Sequence, residues 1–148
     1  MLKPQLLKGS LFNDERGTLS FINDFSFMKN KIKRFYIVKN YQQNYIRAWH
    51  GHKQESKYVY CISGSAKICC VKIDNYKKPN TNQAIETFNL NENIPAILFI
   101  PKGYANGFLN TELNTSLIFF SDKTLEESKN DDYRFPFDYW NPWDIKFY

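Results

Sequence analysis

The 148-residue chain contains two histidines, His50 and His52, and they stand two positions apart. The stretch around them, Ile46–His52, reads as a β-strand, and residues two apart on a strand present their side chains to the same face. Both imidazoles are therefore expected to project together. If that face is an interior, they meet in one pocket. An imidazole titrates near neutrality, so a pair of them suits proton transfer or metal ligation. A carboxylate follows at once, in the run His50-Gly51-His52-Lys53-Gln54-Glu55.

Placing two rings in a shared interior requires a fold built on strands, and the dominant period of the sequence is two. Short apolar, aromatic or β-branched runs bounded by Asn, Gly, Pro or Asp predict strands at Thr18–Ile22, Lys33–Val38, Ile46–His52, Lys57–Ile62, Ala66–Ile73, Ile85–Asn89, Ala96–Ile100, Gly107–Leu109 and Ser116–Ser121. Ser63-Gly64 reads as a hairpin turn. Asp74–Gln83 is polar, with Pro79 inside it, and reads as an excursion. The one predicted helix is Leu125–Asn130, with Thr124 as its cap and Glu126 and Glu127 in its first turn. Many short strands and almost no helix imply an all-β sandwich or antiparallel barrel occupying one domain over residues 1–148. The tail from Tyr133 to Tyr148 is rich in Tyr, Trp, Phe and Pro. It is expected to pack across the barrel or a partner subunit, because so much aromatic surface is unfavourable in water.

Bulk properties narrow the function. Hydrophobic residues make up 43% of the chain and aromatics 18%, enough for one packed core. No apolar run approaches the roughly 20 residues of a membrane helix, and no signal-peptide pattern opens the chain, so a cytoplasmic protein without membrane contact is expected. The formal charge is +5, spread without a basic block. Basic groups in a cleft suit a phosphorylated ligand, whereas no nucleic-acid motif is present. Cys61, Cys69 and Cys70 all sit in strand-like stretches. Neighbours on a strand face opposite ways, so Cys69 and Cys70 should not pair, and all three read as small buried hydrophobes.

Several motifs together carry a family resemblance. Arg47-Ala48-Trp49-His50, Lys57-Tyr58-Val59, Ser63-Gly64 and Ile100-Pro101-Lys102-Gly103-Tyr104-Ala105-Asn106-Gly107-Phe108 resemble the dTDP-4-dehydrorhamnose 3,5-epimerase family. The N-terminal half is equally similar to the WxcM-like sugar 3,4-ketoisomerases, through Asp14-Glu15-Arg16-Gly17-Thr18-Leu19, Lys33-Arg34-Phe35-Tyr36 and His50 to Lys53. The resemblance implies a cupin, an antiparallel β-barrel or jelly roll, acting on a nucleotide-linked 4-keto-6-deoxyhexose. In such a sugar the hydrogens on C3 and C5 are acidic because they flank a carbonyl. By analogy His50 is the base, with His52 beside it, Lys57 stabilises the enolate, and Arg47 anchors the diphosphate or a sugar hydroxyl.

The departures from the family pattern matter equally. The epimerases place a tyrosine on the late strand as the opposite-face acid, but Ser116–Ser121 contains none. Tyr104 or Tyr60 is the candidate substitute. The carboxylate that orients the histidine is sought in Asp138 or Asp144. Asn106 stands where the family loop, and the third ligand of metal-binding cupins, would have histidine, and a neutral amide is a poor ligand. No metal and no cofactor are therefore expected. Trp49, Tyr58, Tyr60 and Phe108 are candidates for stacking on the nucleotide base, and Asn106 for binding the sugar. The expected activity is epimerisation at C3, C5 or both. The alternatives are 3,4-ketoisomerisation, for which two adjacent histidines suffice, and non-catalytic binding of a sugar nucleotide. Either activity would supply deoxysugars for polysaccharide synthesis. A homodimer is expected, since cupins of this type commonly lend a strand to a neighbour.

Overall fold

The computed structural model describes residues 2–144. Period-two patterning becomes two five-stranded antiparallel sheets packed face to face. The first sheet has the order β1 (Gln5–Lys8), β9 (Ala96–Ile100), β6 (Lys57–Ser63), β11 (Thr115–Ser121), β4 (Arg34–Asn40). The second runs β12 (Tyr133–Arg134), β5 (Ile46–Gly51), β10 (Tyr104–Asn110), β7 (Ser65–Lys72), β8 (Ile85–Asn91). A hairpin of β2 (Ser10–Asp14) and β3 (Gly17–Phe21) pairs only with itself. The single helix among the described residues, α1 (Leu125–Ser128), starts at Thr124 in a capping box with Glu127, which satisfies amides that would otherwise be orphaned.

Strand parity decides which side chains meet. Val59, Cys61, Leu98, Leu117 and Phe119 of the first sheet interlock with Ala66, Ile68, Cys70 and Phe108 of the second. Each fully buried aliphatic in this layer contributes about 1.5–3 kcal/mol. The outer side of the second sheet carries another cluster, in which Trp49, Cys69, Val71 and Ala105 lie against Trp140 and Trp143 of the tail. Cys69 and Cys70 thus belong to different clusters, as alternation requires.

The aromatic tail packs on the barrel from Tyr133 to Asp144, and residues 145–148 lie outside the described residues. Tyr133 and Arg134 add a short strand to β5, opposite Gly51 and His50. Trp49 and Phe135 then exchange backbone hydrogen bonds of 3.0 and 3.1 Å. The Trp49 indole donates to the carbonyls of Phe137 and Trp140. β5, the strand bearing His50, is therefore paired on both sides.

Three differences from the sequence reading stand out. β1, β2 and the two-residue β12 lie outside the expected strands, because neither QLLK nor SLFND shows a full alternating pattern and Tyr133–Arg134 is too short to show one. β10 starts at Tyr104, three residues earlier than expected. β5 ends at Gly51, so His52 is the first residue beyond it. Ser63-Gly64 does make the tight link between β6 and β7. Gly64 has φ +78, and a Cβ there would meet Thr115, so glycine is required on both counts.

Candidate functional site

A cavity of about 520 Å³ opens between the two sheets at the end where β6 begins. Arg34, Tyr36 and Val38 of β4, Phe119 of β11 and Lys57 of β6 form one wall. Arg47 and His50 of β5, with Asn106 and Phe108 of β10, form the wall opposite. α1 and the segment after it supply a third side, with Ser128, Lys129, Asp132 and Arg134. His52 and Glu55 come from the turn that follows β5.

Arg47 and His50 are three apart, which on a regular strand would separate them onto opposite faces. They share the cavity because β5 bulges. Asn106 is opposite His50 and Phe108 is opposite Arg47, so two steps on β10 match three on β5. The residue facing the bulge is Gly107. A Cβ there would stand 2.4 Å from the Ala48 Cβ and 3.1 Å from its Cα, so only glycine admits this close approach.

The charges are arranged unevenly. Glu55 is 2% exposed and is held by Arg34 at 2.9 Å and by the Ser121 hydroxyl at 2.5 Å. Arg47 is braced by Asn40, whose side-chain oxygen accepts from Nε at 2.7 Å. Lys57 is only 7% exposed and has no ion-pair partner among the described residues. Its ammonium lies 5.9 Å from the ring centres of both Tyr36 and Phe119. Burial lowers the Lys57 pKa, against the pull of Glu55. A buried cation in an apolar setting calls for an anion or a developing negative charge.

Burial is also the main effect on the histidines. It holds His50 down to about 4, reinforced by Lys57 and Arg134. His52 is lowered by burial and by Lys57, against the Asp131 carbonyl and Glu55. Both rings are neutral at pH 7, the form that accepts a proton. His52 Nδ1 is 2.5 Å from the Asp131 carbonyl oxygen, and Asp132 Oδ1 is 4.0 Å from His50 Nδ1. Burial likewise raises the Tyr36 hydroxyl, with Glu55 adding to the effect, so this phenol is protonated and can donate.

The cavity brings together His50, His52, Lys57, Arg47, Asn106 and Phe108 from the expected set. It excludes four others, of which Tyr58, adjacent to Lys57, faces the outer side of the first sheet against Phe25 and Phe99. Trp49 neighbours His50 and so faces away, into the cluster beneath the tail. Tyr60 is three residues from Lys57 on a regular strand and faces the outer side of the first sheet. Tyr104 has the inward parity of Asn106 but packs in the core with Cys70. Asp138 is exposed and Asp144 lies near Lys67, so neither orients a histidine. The groups found beside the rings are the Asp131 main-chain carbonyl, at His52, and the Asp132 carboxylate, 4.0 Å from His50. The motif Lys33-Arg34-Phe35-Tyr36 contained two further wall residues, Arg34 and Tyr36, which alternation alone places on one face. No three His, Cys, Asp or Glu side chains among the described residues are grouped to hold a metal. Glu55 is occupied by Arg34 and Ser121, and His52 Nδ1 by Asp131.

Comparison with known proteins agrees with this architecture. No curated protein matches the sequence. Among solved structures, the dTDP-4-dehydrorhamnose 3,5-epimerase of Bacillus anthracis, with TDP and PPi bound, superposes with a TM-score of 0.78 at 19% identity, covering 97% of this chain and 86% of that one. A 3,4-ketoisomerase from Helicobacter canadensis gives 0.71 at 20% identity, covering 94% and 96%. QdtA, a sugar 3,4-ketoisomerase from Thermoanaerobacterium thermosaccharolyticum in complex with TDP, gives 0.68 at 22%, covering 92% and 90%. These likenesses identify the fold as the cupin barrel. The family model described as FdtA, WxcM-like, C-terminal, matches residues 3–140, nearly the whole chain, and the chain belongs to that family.

Proposed function

We propose that this chain isomerises a nucleotide-linked 4-keto-6-deoxyhexose, moving the carbonyl from C4 to C3. The observation that carries the proposal is Lys57, a buried ammonium without an ionic partner among the described residues, on the wall opposite His50. One neutral imidazole removes the proton from C3. The electron pair moves onto the C4 oxygen, where Lys57 stabilises the enolate. The proton of the C3 hydroxyl passes to that oxygen, and reprotonation at C4 completes the C3 ketone. Nothing is oxidised overall, so the step needs no external electron acceptor. Arg47 is proposed as the diphosphate anchor. It also borders an adjoining hollow of about 300 Å³ lined by Tyr41, Gln42 and Tyr45, which is proposed for the nucleoside. The solved 3,4-ketoisomerases that the chain resembles, one of them described with TDP-4-keto-6-deoxyglucose, support this substrate class.

Epimerisation at C3 or C5 is the second reading, and one observation favours it. Tyr36 stands on the sheet opposite His50, where an acid for the other face of the ring would be needed. Incubation with TDP-4-keto-6-deoxyglucose in deuterated water, followed by NMR of the products, separates the readings. Ketoisomerisation gives a C3 carbonyl. Epimerisation gives inverted centres with deuterium at C3 or C5. Ligand binding without either product would leave only a sugar-nucleotide binder.

A homodimer is part of the proposal. The first sheet's outer side exposes Phe35 at 62% and Ile37 at 55% on the edge strand β4, and the unpaired hairpin exposes Phe12 and Leu19. Open strand edges bearing apolar side chains favour pairing with a second copy.

A further inference from the structure

His52 sits in a setting that the proposed chemistry does not require but that would decide which of its nitrogens acts. The Asp131 main-chain carbonyl lies 2.5 Å from Nδ1. A carbonyl can only accept, so in the neutral ring the proton belongs to Nδ1 and the lone pair to Nε2. Nε2 is buried and has no hydrogen-bond partner among the described residues. His52 lines the cavity, so this acceptor is held beside the place where a substrate proton would be.

The carbonyl is itself held in place by its own residue. The Asp131 carboxylate takes the amides of Lys53, Gln54 and Glu55, the three residues after His52, at 2.7, 2.9 and 3.0 Å. Asp131 is 5% exposed and does not line the cavity. One residue thus ties down the turn that carries His52 and also accepts the proton of its ring. The other charged groups around the imidazole are Lys57, Glu55 and, through the neighbouring ring, His50. Glu55 Oε2 is 3.4 Å from Nδ1, a longer and weaker rival for the same proton.

We infer that Asp131 is a positioning residue which fixes the His52 proton on Nδ1 and leaves Nε2 as the basic atom. This rests on the reading of the cavity as a site of proton abstraction, but its first test needs no substrate. Nitrogen-15 NMR of the labelled protein, with His50→Gln removing the only other histidine, reads the tautomer of His52 directly. The Nδ1–H form is expected, and an Nε2–H form overturns the inference. In Asp131→Ala the two tautomers should mix, kcat on TDP-4-keto-6-deoxyglucose should fall about a hundredfold, and KM should stay within about threefold. An unchanged tautomer in that variant would show that the ring keeps its proton on Nδ1 without the Asp131 carboxylate, through the main-chain carbonyl alone or through Glu55, and would overturn the inference. Should Asp131→Ala fail to fold, Asp131→Asn keeps the shape and an acceptor oxygen. It is expected to show a smaller loss of kcat and partial mixing, and wild-type values for both overturn the inference. A protein that is inert toward such sugars, yet shows Nδ1–H in the wild type and mixing in the variant, would refute the functional reading while supporting the positioning role.

Discussion

At the residue scale the cavity sets paired ions against Lys57, which has no ion-pair partner among the described residues. Arg34 and Glu55 satisfy each other, so breaking the pair leaves a carboxylate buried with no counter-ion. Arg34→Met should cost about 3–5 kcal/mol, read as a shift in the urea midpoint. Lys57 behaves oppositely. Lys57→Met removes a desolvated cation from an apolar wall, so stability should hold or rise while kcat/KM falls about 10²- to 10³-fold. Loss of both would mean that Lys57 is a structural group. The lowered histidines set a pH dependence. His50 in the folded protein is held at about 4, below the usual value near 6.5, so acid favours the unfolded chain. Its contribution to stability is complete above about pH 6.5 and is lost as the pH falls towards 4. The acid limb of kcat/KM should correspondingly lie below pH 6. A limb at 6.5, with stability flat from pH 7 to 5, would show the rings to be solvated.

At the scale of elements, the site depends on one irregularity. The bulge in β5 turns Arg47 to the same side as His50, and Gly107 makes room for it. Gly107→Ala should cost about 1–3 kcal/mol in chemical denaturation and weaken nucleotide binding through Arg47. Equal binding with unchanged stability would show that the backbone accommodates the methyl group freely. This irregularity also marks how far the sequence could be read. Alternation put His50 and His52 on one face, whereas Lys57 and Asn106 came from the family resemblance and Phe108 from its aromatic character, and all of these line the cavity. Applied strictly, alternation would also have removed Trp49, adjacent to His50, and Tyr60, three from Lys57. It could not have joined Arg47 to His50, because a bulge depends on register with a strand nearly sixty residues away. Asp131 and Asp132 were invisible for the same reason. Nothing local distinguishes them from Asp138, and only the pairing of β12 with β5 brings that segment to the histidines.

For the whole molecule, the barrel was legible because strand, turn and cap signals agreed along the chain. Thr124 caps α1 as its sequence suggests, and the aromatic tail covers the outer side of the second sheet. That cover supports the site from behind, since Trp49 is enclosed by Trp140 and Trp143 directly beneath His50. The first sheet's outer side has less cover, and Phe35 and Ile37 stand open on its edge strand β4. Phe35→Glu combined with Ile37→Glu should shift the proposed dimer to a monomer by light scattering. A wild-type protein that is already monomeric at micromolar concentration would remove the dimer from the account.

The central claim is that the two imidazoles facing this cavity move a carbon-bound proton of a keto sugar. It is tested most directly by following solvent deuterium into TDP-4-keto-6-deoxyglucose with the wild type, His50→Ala and His52→Ala. The account predicts rapid uptake at a ring carbon beside the carbonyl in the wild type, and a fall of orders of magnitude in each variant that keeps its folded circular dichroism spectrum. Uptake undiminished in both single variants would contradict it.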